Sequence, residues 1–115
     1  MERDVLEKFG FYEASIYGGG DYKFVSAASG NWDAVRESHL LNDREFNYYH
    51  DWSLRIFNEV QGRVCASGGG IFHLWHGKFA DRKYLRRHEI SRTYDYDPST
   101  DIAVDEQGCL RWNSH

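Results

Sequence analysis

The chain of 115 residues carries only two cysteines and one methionine. Cys65 and Cys109 lie far apart and show no CxxC spacing, so no disulfide framework is written here. They are expected as two free thiols in a reducing, cytoplasmic setting. No compact metal motif such as HExxH occurs, which weakens a small metal-dependent hydrolase. No run approaches the roughly 18 apolar residues of a membrane span, and no secretory signal opens the chain. Internal repeats and low-complexity linkers are missing too. The formal charge is −4, so an extended nucleic-acid surface is not expected.

What the chain has in quantity is aromatic side chains: four Trp, eight Tyr and seven Phe. They supply much of the candidate core, and their N–H and O–H groups need partners once buried. A chain of this length forms one domain, residues 1–115, that buries about two thirds of its unfolded surface. Positive charge is local: Lys78, Arg82, Lys83, Arg86 and Arg87 fall within ten residues, and an acidic tail follows.

Periodicity outlines an α+β fold, mostly helical, with a small two- or three-stranded sheet. Val5, Leu6 and Phe9 keep helical spacing over residues 2–9, and Gly10 is a natural stop. A second helix begins at or just after Asp21, with Tyr22, Phe24, Val25 and Ala28 on its apolar stripe and Gly30 at its end. Residues 31–43 are mixed and polar, anchored by Trp32 and the Leu40–Leu41 pair. The strongest helical pattern runs from Asp43 to Val60 and ends before Gly62. Residues 63–67 and 71–75 read as short strands joined by Gly68-Gly69-Gly70. Asp81 opens a last helix reaching about Arg92, packed by Tyr84, Leu85, His88 and Ile90. Beyond Asp95 the tail reads as irregular, with turn signals at Asp97-Pro98 and Gln107-Gly108.

Ile71-Phe72-His73-Leu74-Trp75-His76-Gly77 is the most informative stretch. It places two histidines and an indole in an apolar run, directly before basic residues. Neutral imidazole is a common ligand for divalent ions. His73 and His76 are three apart, so on a regular strand they face opposite ways, and one ion takes both only if the strand breaks. His76, beside Gly77 at the strand end, is the better candidate. The competing reading is two structural histidines. Arg82 and Arg87, with Lys78, carry groups suited to phosphate oxygens. Tyr84 offers a stacking face, with a place in the core as the alternative. Asp21, after Gly18-Gly19-Gly20, reads on residue grounds alone as a helix cap.

These motifs resemble a known family. Phe9-Gly10-Phe11-Tyr12-Glu13 with Gly18-Gly19-Gly20-Asp21 is similar to a loop of glycosyltransferases of the GT-A fold. His73-Leu74-Trp75-His76-Gly77, Arg82-x-Tyr84 and Arg87 resemble the C-terminal motif of bacterial family 2 members. Tyr96-Asp97-Pro98, Asp101-Ile102, Asp105, Gly108 and Trp112 resemble the tail that often follows. The resemblance implies transfer of a sugar from a nucleotide-sugar donor to a hydroxyl acceptor. It makes Asp21 the general base and lets Gly19 and Gly20 bring backbone close to a sugar. It assigns His76, with His73, to a divalent metal, manganese, and Trp75, Arg82, Tyr84 and Arg87 to substrate. Such enzymes carry an N-terminal nucleotide-binding half with a DXD motif. Asp95-x-Asp97 has those letters but sits after the last helix. The expectation is therefore an acceptor-side half, inactive alone: a truncated gene product, a partial reading frame or a separate subunit whose partner is the missing N-terminal half. The alternative is a non-catalytic binding or self-assembly module that forms a homodimer.

Overall fold

The computed structural model describes residues 3–75 and 77–113. The fold hangs on one long helix, α4 (Asp43–Val60). The Asn42 side chain caps it by accepting from the Glu45 N–H at 2.8 Å. This satisfies one of the orphan donors of the first turn. Gln61, in the left-handed conformation with Gly62 behind it, ends it. Phe46, Tyr49, Trp52 and Ile56 recur at helical spacing and are all buried, which makes α4 the spine of the core.

Helix α2 (Gly20–Ser29) lies along this stripe through Phe24, Ala27 and Ala28. Its short alanines let the two backbones approach closely. Gly30 closes α2 at φ 75°, and a Cβ there would stand 3.0 Å from the Phe57 ring. Glycine is thus set by both conformation and space. Helix α3 (Trp32–Ser38) inserts the fully buried Val35. Helix α1 (Arg3–Phe9) adds Val5 and crosses to α4 through an exposed Lys8–Glu59 pair at 3.0 Å. Between α1 and α2, Tyr12 folds its ring onto Tyr49 and Trp52, at centroid distances of 5.3 and 5.1 Å.

The mostly helical α+β architecture holds, but its sheet is elsewhere. Residues 63–67 and 71–75 are irregular, not strands. Gly68-Gly69-Gly70 and Gly77 flank the second run, and no strand lies beside it among the described residues, so no ladder satisfies its backbone. The sheet comes from the tail, where β1 (Ile102–Val104) pairs antiparallel with β2 (Leu110–Trp112), Val104 opposite Leu110. Asp105 shapes the turn: its Oδ1 accepts from the Gln107 and Cys109 N–H groups, both at 2.9 Å.

The expected last helix is also two pieces, α5 (Phe79–Arg82) and α6 (Tyr84–Thr93), broken at Lys83, whose φ is 50°. Tyr84, Leu85 and Ile90 were expected to pack this helix, yet all three are exposed, while α6 buries His88 and Ser91. A last short helix, α7 (Pro98–Asp101), starts with Asp97 accepting from the Ser99 N–H and Pro98 in its first turn.

Candidate functional site

A shallow groove of about 350 Å³ opens where the start of α2, the end of α3 and α6 meet. Tyr22, Ser38, His39, Tyr84, Leu85 and His88 line it. Its shape begins with the triple glycine. Gly19 takes φ 78° as the N-cap of α2, and a Cβ at this position would collide with the His39 ring. Only glycine allows the turn and the imidazole to share this space. Asp21 follows, exposed in the first turn of α2. The cap is therefore Gly19, and Asp21 is a first-turn carboxylate near His39.

A buried lysine holds the turn from within. Lys23 is 2% exposed, and its ammonium donates to Ser15 Oγ at 2.9 Å. Ser15 Oγ in turn donates to the Gly18 carbonyl at 2.7 Å. The same ammonium stands 3.9 Å from Glu45 Oε1 and 5.3 Å from the Tyr12 ring centroid. Glu45 accepts from Ser91 Oγ at 3.3 Å, which ties α6 to the core. Burial drives Lys23 down to about 8 and Glu45 up, and each shift is opposed by the other's charge.

His39 and His88 form the floor. Their rings stack at 4.1 Å with planes 13° apart, and Tyr22 lies 5.3 Å from His39. Burial, the neighbouring His88 and the Lys23 charge lower His39 to about 4, while Asp21 pulls it the other way. His88 is lowered as well, by burial, Lys23 and Arg87. Both rings are neutral at pH 7. Imidazole lone pairs lie in the ring plane, so two parallel rings do not aim them at one ion, and this pair is not a chelate.

The residues assigned from sequence divide into groups. Tyr84 lines the groove, Gly19 lies against its His39 ring and Asp21 acts on that ring, whereas Gly20 faces the Tyr12 carbonyl and Ser15. Arg87 places its guanidinium 5.5 Å over the Tyr84 ring, and Phe79 lies 5.5 Å from that ring on the other helix. Arg82 turns back to donate to the Gly77 carbonyl at 3.0 Å. Trp75 is 80% exposed on the irregular segment. His73 is on the same segment, with Nδ1 3.1 Å from the Leu74 carbonyl. His76 lies outside the described residues. Among the described residues, no three His, Cys, Asp or Glu side chains converge on a metal position. Lys23, His39 and Glu45 were missed by sequence reasoning, and His88 was expected to pack its helix, as it does, but not to line a groove. Glu45 occupies the third position of α4, where a carboxylate is expected for helix-start reasons, and this masks its burial. The chain matches no family model, no curated protein and no solved structure.

Proposed function

We propose that the chain is the acceptor-side half of a nucleotide-sugar-dependent glycosyltransferase, working with a donor-binding half. The observation that carries this reading is the Asp21 carboxylate near His39, whose ring lines the groove with Tyr22 and Tyr84. A carboxylate on the first turn of a helix is held in a fixed place, as a general base requires. In the reaction, an acceptor hydroxyl gives its proton to Asp21. Its oxygen bonds to the anomeric carbon, and the bond from that carbon to the nucleoside diphosphate breaks. Tyr22 and Tyr84 give the acceptor ring apolar faces, and the neutral imidazoles give it hydrogen-bonding groups. The described side chains do not make a metal centre on their own, and no step here passes through one.

The donor half has a place to sit. Ile71, Phe72, Leu74, Trp75 and Phe79 are between 75% and 100% exposed. Five such side chains offer on the order of 800 Å² per partner, the area of an ordinary stable interface. Exposed apolar surface of this size marks an interface. Saturation-transfer NMR with a panel of mono- and disaccharides tests the acceptor site. Transfer to a saccharide that drops at least fivefold in Asp21→Ala is expected, and no transfer to any member of the panel overturns the reading.

The same bare segment favours a second reading, self-assembly. Here a second copy covers residues 71–79. Sedimentation separates the two: a sharp dimer that Trp75→Ser dissolves supports assembly, and a clean monomer at high concentration removes it.

A further inference from the structure

Helix α6 has a narrow footing. Of its ten residues, His88 and Ser91 are buried. Ser91 reaches Glu45, and His88 stacks on His39. Leu85 is 60% exposed and contributes little to docking. At its far end the helix is anchored by backbone, with the Tyr96 N–H donating to the Ser91 carbonyl at 3.1 Å. Asn42 then donates to the Tyr96 carbonyl at 3.0 Å, and Tyr96 Oη to the Ala14 carbonyl at 3.0 Å. Asp95, with φ 50°, lies between the helix and that anchor. The helix is thus pinned at its C-terminal end, and its N-terminal half is held by a pair of rings at mid-helix.

We infer that the His39–His88 stack is an acid-operated latch that holds the N-terminal half of α6 on the core when neutral and releases it when protonated.

The surroundings of the stack set the sign. From α2, Lys23 presents a buried positive charge behind both rings, and Asp21 presents an exposed carboxylate to His39. Tyr22, also on α2, is uncharged. From α6, Arg87 adds a positive charge beside His88, and each imidazole faces the other. Protonation of His39 therefore places a cation against the His88 ring and the Lys23 charge, and protonation of His88 places one against the His39 ring, Lys23 and Arg87. Asp21 is the one opposing group on this face among the described residues, and its exposure screens it. Glu45 acts in the opposite sense, but its carboxylate answers chiefly to Lys23 on α2, which stays behind when α6 leaves. Undocking exposes both imidazoles to water and restores their ordinary affinity for protons, so acid favours the released state.

Hydrogen–deuterium exchange of the full chain tests the latch, with protection factors corrected for the intrinsic pH dependence of exchange. Between pH 7.5 and 4.5, amides of residues 87–93 should lose at least tenfold more protection than those of α4. In His88→Phe, which keeps a flat ring but does not titrate, the pH dependence at α6 should shrink to the share that His39 carries. Titration of the histidine Cε1–H resonances in the wild-type chain gives a second readout if that variant fails to fold. Two of them should titrate together with the loss of α6 protection. Unchanged protection at α6 overturns the latch. So does an equal loss at α4 and α6, or an undiminished pH response in a folded His88→Phe.

Discussion

Two stretches of this chain are equally rich in large apolar side chains and meet opposite fates. In α4, Phe46, Tyr49, Trp52 and Ile56 are all buried. In residues 71–79, Ile71, Phe72, Leu74, Trp75 and Phe79 are almost wholly exposed. Composition does not separate them. Spacing does: α4 repeats its apolar groups on one face, where α2 and the Tyr12 loop cover them. The 71–75 run sets apolar neighbours side by side between glycines, so it presents no single face, and its large apolar side chains stay exposed. The first stretch is a core, and the second is exposed surface.

The comparison is broken most severely at the polar heart of the core. Lys23→Ala leaves the Glu45 carboxylate buried without its partner, and a loss of about 3–5 kcal/mol is expected. Urea denaturation measures it. The double change Lys23→Met with Glu45→Met should recover most of that loss, because well-packed apolar groups replace a buried ion pair at little cost. Next, Ile56→Ala should cost about 3 kcal/mol, the price of an empty space beside a fully buried side chain. Ile71→Ala, the same chemical change on the exposed stretch, should fall within about 0.5 kcal/mol of the wild type. Equal losses at the two positions would show that residues 71–75 pack in solution.

A smaller effect comes with pH. His39 is held at about 4, against 6.5 as its ordinary value, so on acidification the unfolded chain binds the proton first. Its contribution is whole above pH 6.5 and is lost as the pH falls toward 4, and His88 acts in the same direction. Glu45, held above its ordinary value, works against them. The balance should be a loss of about 1–2 kcal/mol between pH 6.5 and 4, read from urea midpoints at each pH. A midpoint that rises on acidification would contradict this assignment.

Much of the helical scaffold was legible because its signals are local. The Asp43–Val60 helix follows from its apolar spacing and the glycine behind it, and the structure gives the same bounds. The breaks at Gly10 and Gly30 follow from glycine's freedom at positive φ. The sheet was not legible. Residues 71–75 have strand composition, yet a strand exists only with a neighbour to bond to, and this one has none described. The tail forms a hairpin because Asp105 and Gly108 build its turn, a signal weaker than the apolar run at 71–75. The groove was half legible. Gly19 and Asp21 stood out by motif, but the His39–His88 stack joins residues from the end of α3 and the middle of α6. No spacing rule links those positions.

The acceptor groove is tested most directly by mapping where a saccharide touches the folded chain. An amide chemical-shift titration with a saccharide chosen by saturation transfer should move residues 19–22, 39 and 84–88 together. The same titration should leave residues 71–75 and the hairpin at 102–112 in place. Shifts confined to 71–75 or to the hairpin, with residues 19–22 unmoved, would contradict the account.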